Sequence, residues 1–490
     1  MNKLRKLTCL LLALMMVFAM TATASAADGE STITAPDGST RTYEVYQIFV
    51  GDLDPESKVL SNVKWGKNGT GTEGELVDEA TLDALTAVTN KNSDADKMAV
   101  IEGYVNLTST KYGEVKDGTP LTVPNGYYLI KDVGPVNAAA GEAYGRYVVK
   151  IVGDTTITPK VSKVTFEKKV QDTNDTTGET SGWQDSADYD IGDSVPFQLT
   201  GTVADDFKQY TSAYYFAFHD KMDESLDFVQ NSVEVYVGST LITDGYTLNY
   251  TPHTFDLEFD DLRNVAGVTA GSKITVEFKA TLNASAKLGN QGNVNDARLE
   301  YSNNPYSEQK GTTNWDSVIV FTYQVVVNKY ANEVKEGNLK TGAAFKLEKL
   351  VGQTWTLVKE FQADETTTTF TFKGLDDGKY RLTETVTPSG FNTIDPIEFT
   401  VTADHNVSWE GAERTTILTS LNGAPTEAGL ITFTPSVDTG TLSTDVVNKS
   451  GSTLPETGGM GTTLFYVLGG VLVLAAVVLL VTKKRMRSEN

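Results

Sequence analysis

Lys273-Ile274-Thr275-Val276-Glu277-Phe278-Lys279-Ala280-Thr281-Leu282 decides the fold class. Every second residue, from Ile274 to Leu282, is apolar, and the residues between are charged or hydroxylated. A strand turns successive side chains to opposite faces, so a period of two buries one face and wets the other. Working outward, Val233, Val235 and Val237 repeat the pattern. Phe370-Thr371-Phe372 and Tyr380-Arg381-Leu382 flank Asp377-Gly378, which predicts a hairpin turn. Many short alternating runs separated by turn residues predict an all-β chain of tandem Ig-like β-sandwiches in an elongated rod. The exception is 76–105, where Leu82, Leu85 and Val88 suggest short helices.

The 490 residues suffice for about three domains, each with its own core. Turn and charge clusters place them at 27–158, 159–323 and 324–448. Lys+Arg is 41 and Asp+Glu 64, a formal charge of −23. That field repels phosphate backbones, so nucleic acid is excluded as a partner. Cys9 is the single cysteine and lies in a segment expected to be removed, so disulfides, thiolate metal sites and cysteine nucleophiles are excluded. His219, His253 and His405 share no metal-ligand spacing and no triad motif. No metal and no cofactor is expected. Paired carboxylates are plentiful in so acidic a chain and identify no active site, so an enzyme is not expected either.

The two ends carry processing signals. Lys3, Arg5 and Lys6 precede an apolar run from Leu7 to Met20, and Ala24-Ser25-Ala26 is a small-x-small cleavage site. This is a secretory signal over 1–26, with the mature chain beginning at Ala27. At the other end stands Leu454-Pro455-Glu456-Thr457-Gly458 within a flexible linker, 449–461. An apolar stretch at 462–482 is long enough to span a bilayer, and the basic tail at 483–490 stays inside by the positive-inside rule.

Leu454–Gly458, the apolar span and the basic tail together resemble the sortase sorting signal of Gram-positive cell walls. Further motifs extend the resemblance over nearly the whole chain. They are Tyr43-Glu44-Val45-Tyr46-Gln47-Ile48-Phe49, Tyr189-Asp190-Ile191-Gly192-Asp193, Asn295-Asp296-Ala297-Arg298-Leu299-Glu300-Tyr301 and Leu339-Lys340-Thr341-Gly342. Together they resemble the backbone pilins of sortase-assembled pili. The second domain looks like the isopeptide-forming D2 domain, and the third is similar to the collagen-adhesin B-type domain.

The resemblance implies two kinds of lysine chemistry. In the first, a sortase cysteine attacks the carbonyl of Thr457 and expels Gly458 onward. The acyl-enzyme is then resolved by a lysine of the next subunit. Thr156-Ile157-Thr158-Pro159-Lys160 stands where the family carries its pilin motif, which implies Lys160, with Lys163 the alternative. In the second, a lysine in a domain's first strand attacks an asparagine in its last, aided by a buried acid. Burial keeps the amine neutral and the carboxyl protonated. The implied set in the third domain is Lys329, Glu384 and Asn448. In the second it is Lys168 (favoured over Lys169), Asp220 and Asn295, with Asn303 the alternative.

The resemblance also implies partners: a sortase, copies of the chain itself, accessory pilins, peptidoglycan, and a host ligand if the fibre adheres to one. The membrane is met only through the tail before sorting. The implied function is a structural pilus subunit involved in adhesion. The alternative is a monomeric wall-anchored adhesin or an accessory pilin.

Overall fold

The computed structural model describes residues 29–54, 56, 60–87, 100–158, 162–210, 212–409, 414–451 and 460–486. The signal segment, Val88, Lys160 and Leu454–Gly458 lie outside the described residues.

The alternating stretch Lys273–Leu282 is a strand. Ile274, Val276, Phe278, Ala280 and Leu282 are all buried, and the residues between them face outward. It pairs antiparallel with Ser194–Thr202 on one side and Leu226–Val237 on the other. Six strands form this sheet, with Thr165–Thr173 hydrogen-bonded to Ser194–Thr202. A seven-stranded sheet faces it. In it Phe216–Met222 lies between Thr254–Phe259 and Asn293–Ser302. The two inner faces share one core rich in aromatic rings, including Phe197, Phe216, Phe218, Phe255 and Phe278.

Residues 29–158 are built differently. A three-stranded sheet sets Glu30–Thr34 between Leu121–Pro124 and Thr155–Thr156. A five-stranded sheet is centred on Tyr43–Leu53 and Gly126–Asp132. The helix Glu79–Ala87 sits within the predicted helical region. Leu85 and Leu82 pack into a core with Ile48, Trp65 and Leu129. These spacings are the i, i+3 contacts that an amphipathic helix needs.

From Tyr323 on, a four-stranded sheet packs on a five-stranded one. The first strand, Tyr323–Ala331, lies parallel to the last, Thr441–Asn448, with Lys329 opposite Val446 and Ala331 opposite Asn448. The expected hairpin at Asp377-Gly378 is not formed. Thr369–Leu375 pairs with Tyr323–Ala331 in one sheet, whereas Gly378–Val386 pairs with Ala344–Val351 and Ile397–His405 in the other. The two residues cross between sheets. Asp376 is buried against Lys349, and the Asp377 amide donates to Asp188 of the preceding unit, so tertiary contacts override the local turn preference.

The second and third sandwiches are continuous at their junction. Val294, Ile319 and Phe321 belong to the same apolar cluster as Tyr323, Phe345 and Leu442. Gly289 and Gly440 bring two loops together there, both at positive φ. At the C-terminal end, Met460–Met486 is one helix. Within it Phe465–Lys484 has mean hydropathy 2.7 and buries nothing against the rest of the chain.

Candidate functional site

Three lysines are buried among the described residues: Lys168, Lys329 and Lys349. Removing an ammonium from water is costly unless it is paired or gives up its proton. The three solve this in two ways.

Lys329 faces inward from the first strand of the third unit. Its Nζ lies 3.2 Å from Glu384 Oε1, and both side chains are fully buried. Glu384 reaches in from Gly378–Val386 on the opposite sheet. Its other oxygen, Oε2, accepts from Asn448 Nδ2 at 2.8 Å, from the Thr387 hydroxyl at 3.1 Å and from the Ile394 amide at 3.3 Å. Asn448 Nδ2 also donates to the Asn392 carbonyl at 2.7 Å. One carboxyl therefore touches the lysine amine with one oxygen and the asparagine amide nitrogen with the other. Burial pushes the Lys329 pKa below the ordinary lysine value, and the Glu384 charge offsets this only in part. The Phe345 ring lies 5.7 Å from Nζ.

Lys168 is fully buried in Thr165–Thr173, and its Nζ contacts Asp220 Oδ2. The rings of Phe278 and Phe197 lie 5.2 and 5.4 Å from the amine. Burial holds Lys168 below its usual pKa despite Asp220. Burial likewise raises Asp220 to about 6, against the pull of Lys168 and of the neighbouring Asn295 amide. Asp220 and Asn295 stand on adjacent strands of the facing sheet, where Met222 pairs with Asn295 and Asp220 with Ala297. Lys169 points the other way, half-buried, and bonds Asp185 at 2.6 Å and Glu167 at 3.1 Å. Asn303 lies beyond the end of the Asn293–Ser302 strand, and its carbonyl accepts from the Tyr144 amide of the first unit. Asn295 is not on the last strand of its unit, because Lys310–Thr312 and Asp316–Phe321 follow it.

Both sets leave buried polar atoms without hydrogen-bond geometry. These are Lys329 Nζ, Glu384 Oε1, Asn448 Oδ1, Asp220 Oδ1 and both amide atoms of Asn295. Each such atom costs about 1–3 kcal/mol. An amide bond between the lysine nitrogen and the asparagine carbonyl carbon would relieve much of that cost. The arrangement would suit such a condensation: a desolvated amine of lowered pKa, an asparagine side chain, and a carboxyl in contact with the amine.

Lys349 differs. Its Nζ bonds Asp190 at 2.7 Å and Asp175 at 2.9 Å, and also contacts Asp376, so its hydrogen-bond partners among the described residues are three carboxylates. Burial works to lower its pKa, but Asp376 and Asp190 outweigh burial and hold the amine above the ordinary range. It stays charged and is no nucleophile. Sequence reading missed this cluster, since Glu348-Lys349 looks like part of any exposed strand and the aspartates come from distant segments.

Lys163, the alternative acceptor, is exposed, and its backbone forms an isolated antiparallel β-bridge with Glu142.

The LPXTG cell wall anchor motif matches residues 446–490, and the SpaA prealbumin-like fold domain matches residues 323–413. The chain is a wall-anchored surface protein with a backbone-pilin fold. It is 24% identical over 379 residues to the trypsin-resistant surface T6 protein of Streptococcus pyogenes serotype M6, covering 60% of this chain and 68% of that one. The T6 backbone pilin structure, described as a modular three-domain protein, superposes with a TM-score of 0.52 at 18% identity. That match covers 88% of this chain and all of that one. The full-length major pilin SpaD of Corynebacterium diphtheriae gives a TM-score of 0.47 at 18% identity, covering 88% of this chain and all of SpaD. The pilin-like sandwiches and the wall-anchoring end set the frame for the two lysine sets.

Proposed function

We propose that this chain is the repeating subunit of a sortase-polymerised surface pilus. Its folded part comprises domains at 27–158, 159–323 and 324–448. A sortase cleaves between Thr457 and Gly458 and passes the Thr457 acyl group to Lys160 of the next subunit. The observation that carries the reading is the pair of buried lysine–acid–asparagine sets in two successive sandwiches upstream of a wall-sorting end.

Within each sandwich the lysine forms an amide with the asparagine: Lys168 with Asn295, and Lys329 with Asn448. The neutral Nζ attacks the side-chain carbonyl carbon. The acid, Asp220 or Glu384, takes a proton from the attacking nitrogen and delivers one to the departing nitrogen. A carbon–nitrogen bond forms, the old one breaks, and ammonia leaves. Two contacts of Glu384 support this relay: one oxygen lies 3.2 Å from the amine and the other accepts from the amide nitrogen at 2.8 Å. The acid acts once per chain, so this is self-processing and not turnover. Such staples replace the disulfides that an extracellular protein without cysteines lacks.

An immunoblot of boiled, detergent-treated wall extract tests the polymer. A ladder of high-mass bands that collapses in Lys160→Ala is expected. A ladder that survives shifts the acceptor, first to Lys163. A single band at monomer mass in well-expressing cells overturns the shaft and leaves a monomeric adhesin or accessory subunit.

A further inference from the structure

His405 is one of the three histidines to which the sequence assigns no role. It ends the strand Ile397–His405 of the third unit and faces the second unit across the junction, with its side chain only 8% exposed. Its tautomer follows from its neighbours. The Ser186 hydroxyl lies 2.7 Å from the Asn406 carbonyl and 2.7 Å from His405 Nδ1. A carbonyl only accepts, so the single hydroxyl proton goes to Asn406. Ser186 Oγ must then accept from Nδ1–H. Nδ1 therefore carries a proton, which leaves Nε2 as the nitrogen that can offer a lone pair to a cation.

Nε2 faces two carboxylates. Asp188 Oδ1 lies 3.8 Å from Nε2 and Asp172 Oδ2 lies 3.9 Å from it, both beyond hydrogen-bond range. All three atoms fall within 4.8 Å of one another. Ligands held about 2.1 Å from a tetrahedral zinc ion sit about 3.4 Å apart, so the two histidine edges would shorten by about 0.4–0.5 Å, and the two carboxylates would close to the same spacing, on binding. The surroundings already have the form of an outer shell. Ser186 fixes the ring through Nδ1, and the Asp377 amide donates to the other oxygen of Asp188 at 3.1 Å, as supports of metal ligands do. A separate observation points inward as well. Tyr323 is 1% exposed, and its buried hydroxyl, beside Asp188, meets no hydrogen-bond partner in good geometry.

We propose that Asp172, Asp188 and His405 bind a first-row divalent cation, zinc by its donor set, which clips the second unit to the third. One imidazole and two carboxylates balance a doubly charged ion and suit zinc over calcium, which takes oxygen ligands alone. Asp172 keeps 22% of its side chain exposed and gives the ion a way in. The neighbouring aspartates at Lys349 need no such ion, because an ammonium already sits among them. The clip is independent of the sortase reading, since its ligands lie wholly within one chain.

The test uses the full-length chain purified in detergent, stripped with EDTA, and then exposed to one equivalent of zinc chloride and dialysed. Metal content is read by mass spectrometry and Tm by calorimetry. One zinc per chain, with a Tm that falls on stripping and recovers on reloading, is expected. Asp172→Asn should lose the zinc while keeping its circular dichroism, and His405→Gln should do the same. Asp193→Asn, in the aspartate cluster at Lys349, should bind normally. Substoichiometric zinc in the parent chain, or uptake and Tm unchanged in both ligand variants, overturns the clip.

Discussion

The second and third sandwiches place the same three residue types in different frames. In the third, Lys329 and Asn448 stand on neighbouring parallel strands of one sheet, and Glu384 comes from the other. In the second, Asp220 and Asn295 share a sheet and Lys168 comes from across the core. An amide in the third would tie the first strand to the last. In the second it would tie sheet to sheet. If both amides form, the chemistry asks only for a desolvated amine, an acid and an asparagine brought together in the core, whichever strands supply them. Lys349 marks the boundary: three carboxylates in place of an acid and an amide keep the amine charged.

The largest expected effect breaks one set at a time. Asp220→Ala should raise the intact mass by one retained ammonia and leave the Lys329–Asn448 amide in place. Glu384→Ala should do the converse, and the double variant should retain two. Each lost amide should remove about 5 kcal/mol on the chain-entropy account of a crosslink closing a loop of this size. Calorimetry should show the affected sandwich melting earlier. An unshifted mass in the parent chain sinks both sets.

Next is Lys349→Ala. It should leave the mass deficit intact yet destabilise the junction by about 3–5 kcal/mol, because three aspartates lose their cation. Denaturant titration of the variant reads this, and a change below about 1 kcal/mol would show the cluster to be well solvated.

Gly289→Ala should cost about 1–3 kcal/mol through overpacking. A Cβ there, at φ +65, would meet the Val437 carbonyl oxygen at 2.6 Å and the Gly440 amide. The loss should appear at the junction and spare both crosslinks, as hydrogen exchange can localise.

The smallest effect is on pH dependence. Burial first, then the charges of Asp190 and Asp175, raise Asp193 to about 6 from an ordinary 3.8. The folded state thus holds a proton that the unfolded chain releases near pH 4. Stability from this group is full below about 4 and declines as pH rises to about 6. Asp193→Asn should flatten that part of the stability–pH curve, and a parallel curve would refute the assignment.

The strands were legible because burial imposes a period of two, and Lys273–Leu282 obeys it residue by residue. Lys329, Glu384 and Asn448 were legible because each falls within a short motif, and the fold brings those motifs into contact. What failed was non-local. Asp377-Gly378 has the chemistry of a hairpin turn, yet nothing within four residues says which sheet the chain enters next. Asp172, Asp188 and His405 converge from separate segments across a junction, so no spacing announces them. Lys349 is hidden likewise, its partners Asp175 and Asp190 lying more than 150 residues upstream.

Asn295 sits on a strand that two others follow. With both amides formed, tension on a fibre would travel through Lys168 to Asn295 and through Lys329 to Asn448, and the stretches enclosed by those bonds would bear none of it. Residues 296–328 lie outside both loops. They include the strand Asp316–Phe321, whose Ile319 and Phe321 are wedged into the core of the next sandwich. Fully drawn out, those 33 residues reach about 110 Å. Under a sudden pull they would peel away and lengthen each subunit without breaking a covalent bond, then fold back when the pull relaxes. The shaft would have a built-in shock absorber, placed where the asparagine falls short of the final strand.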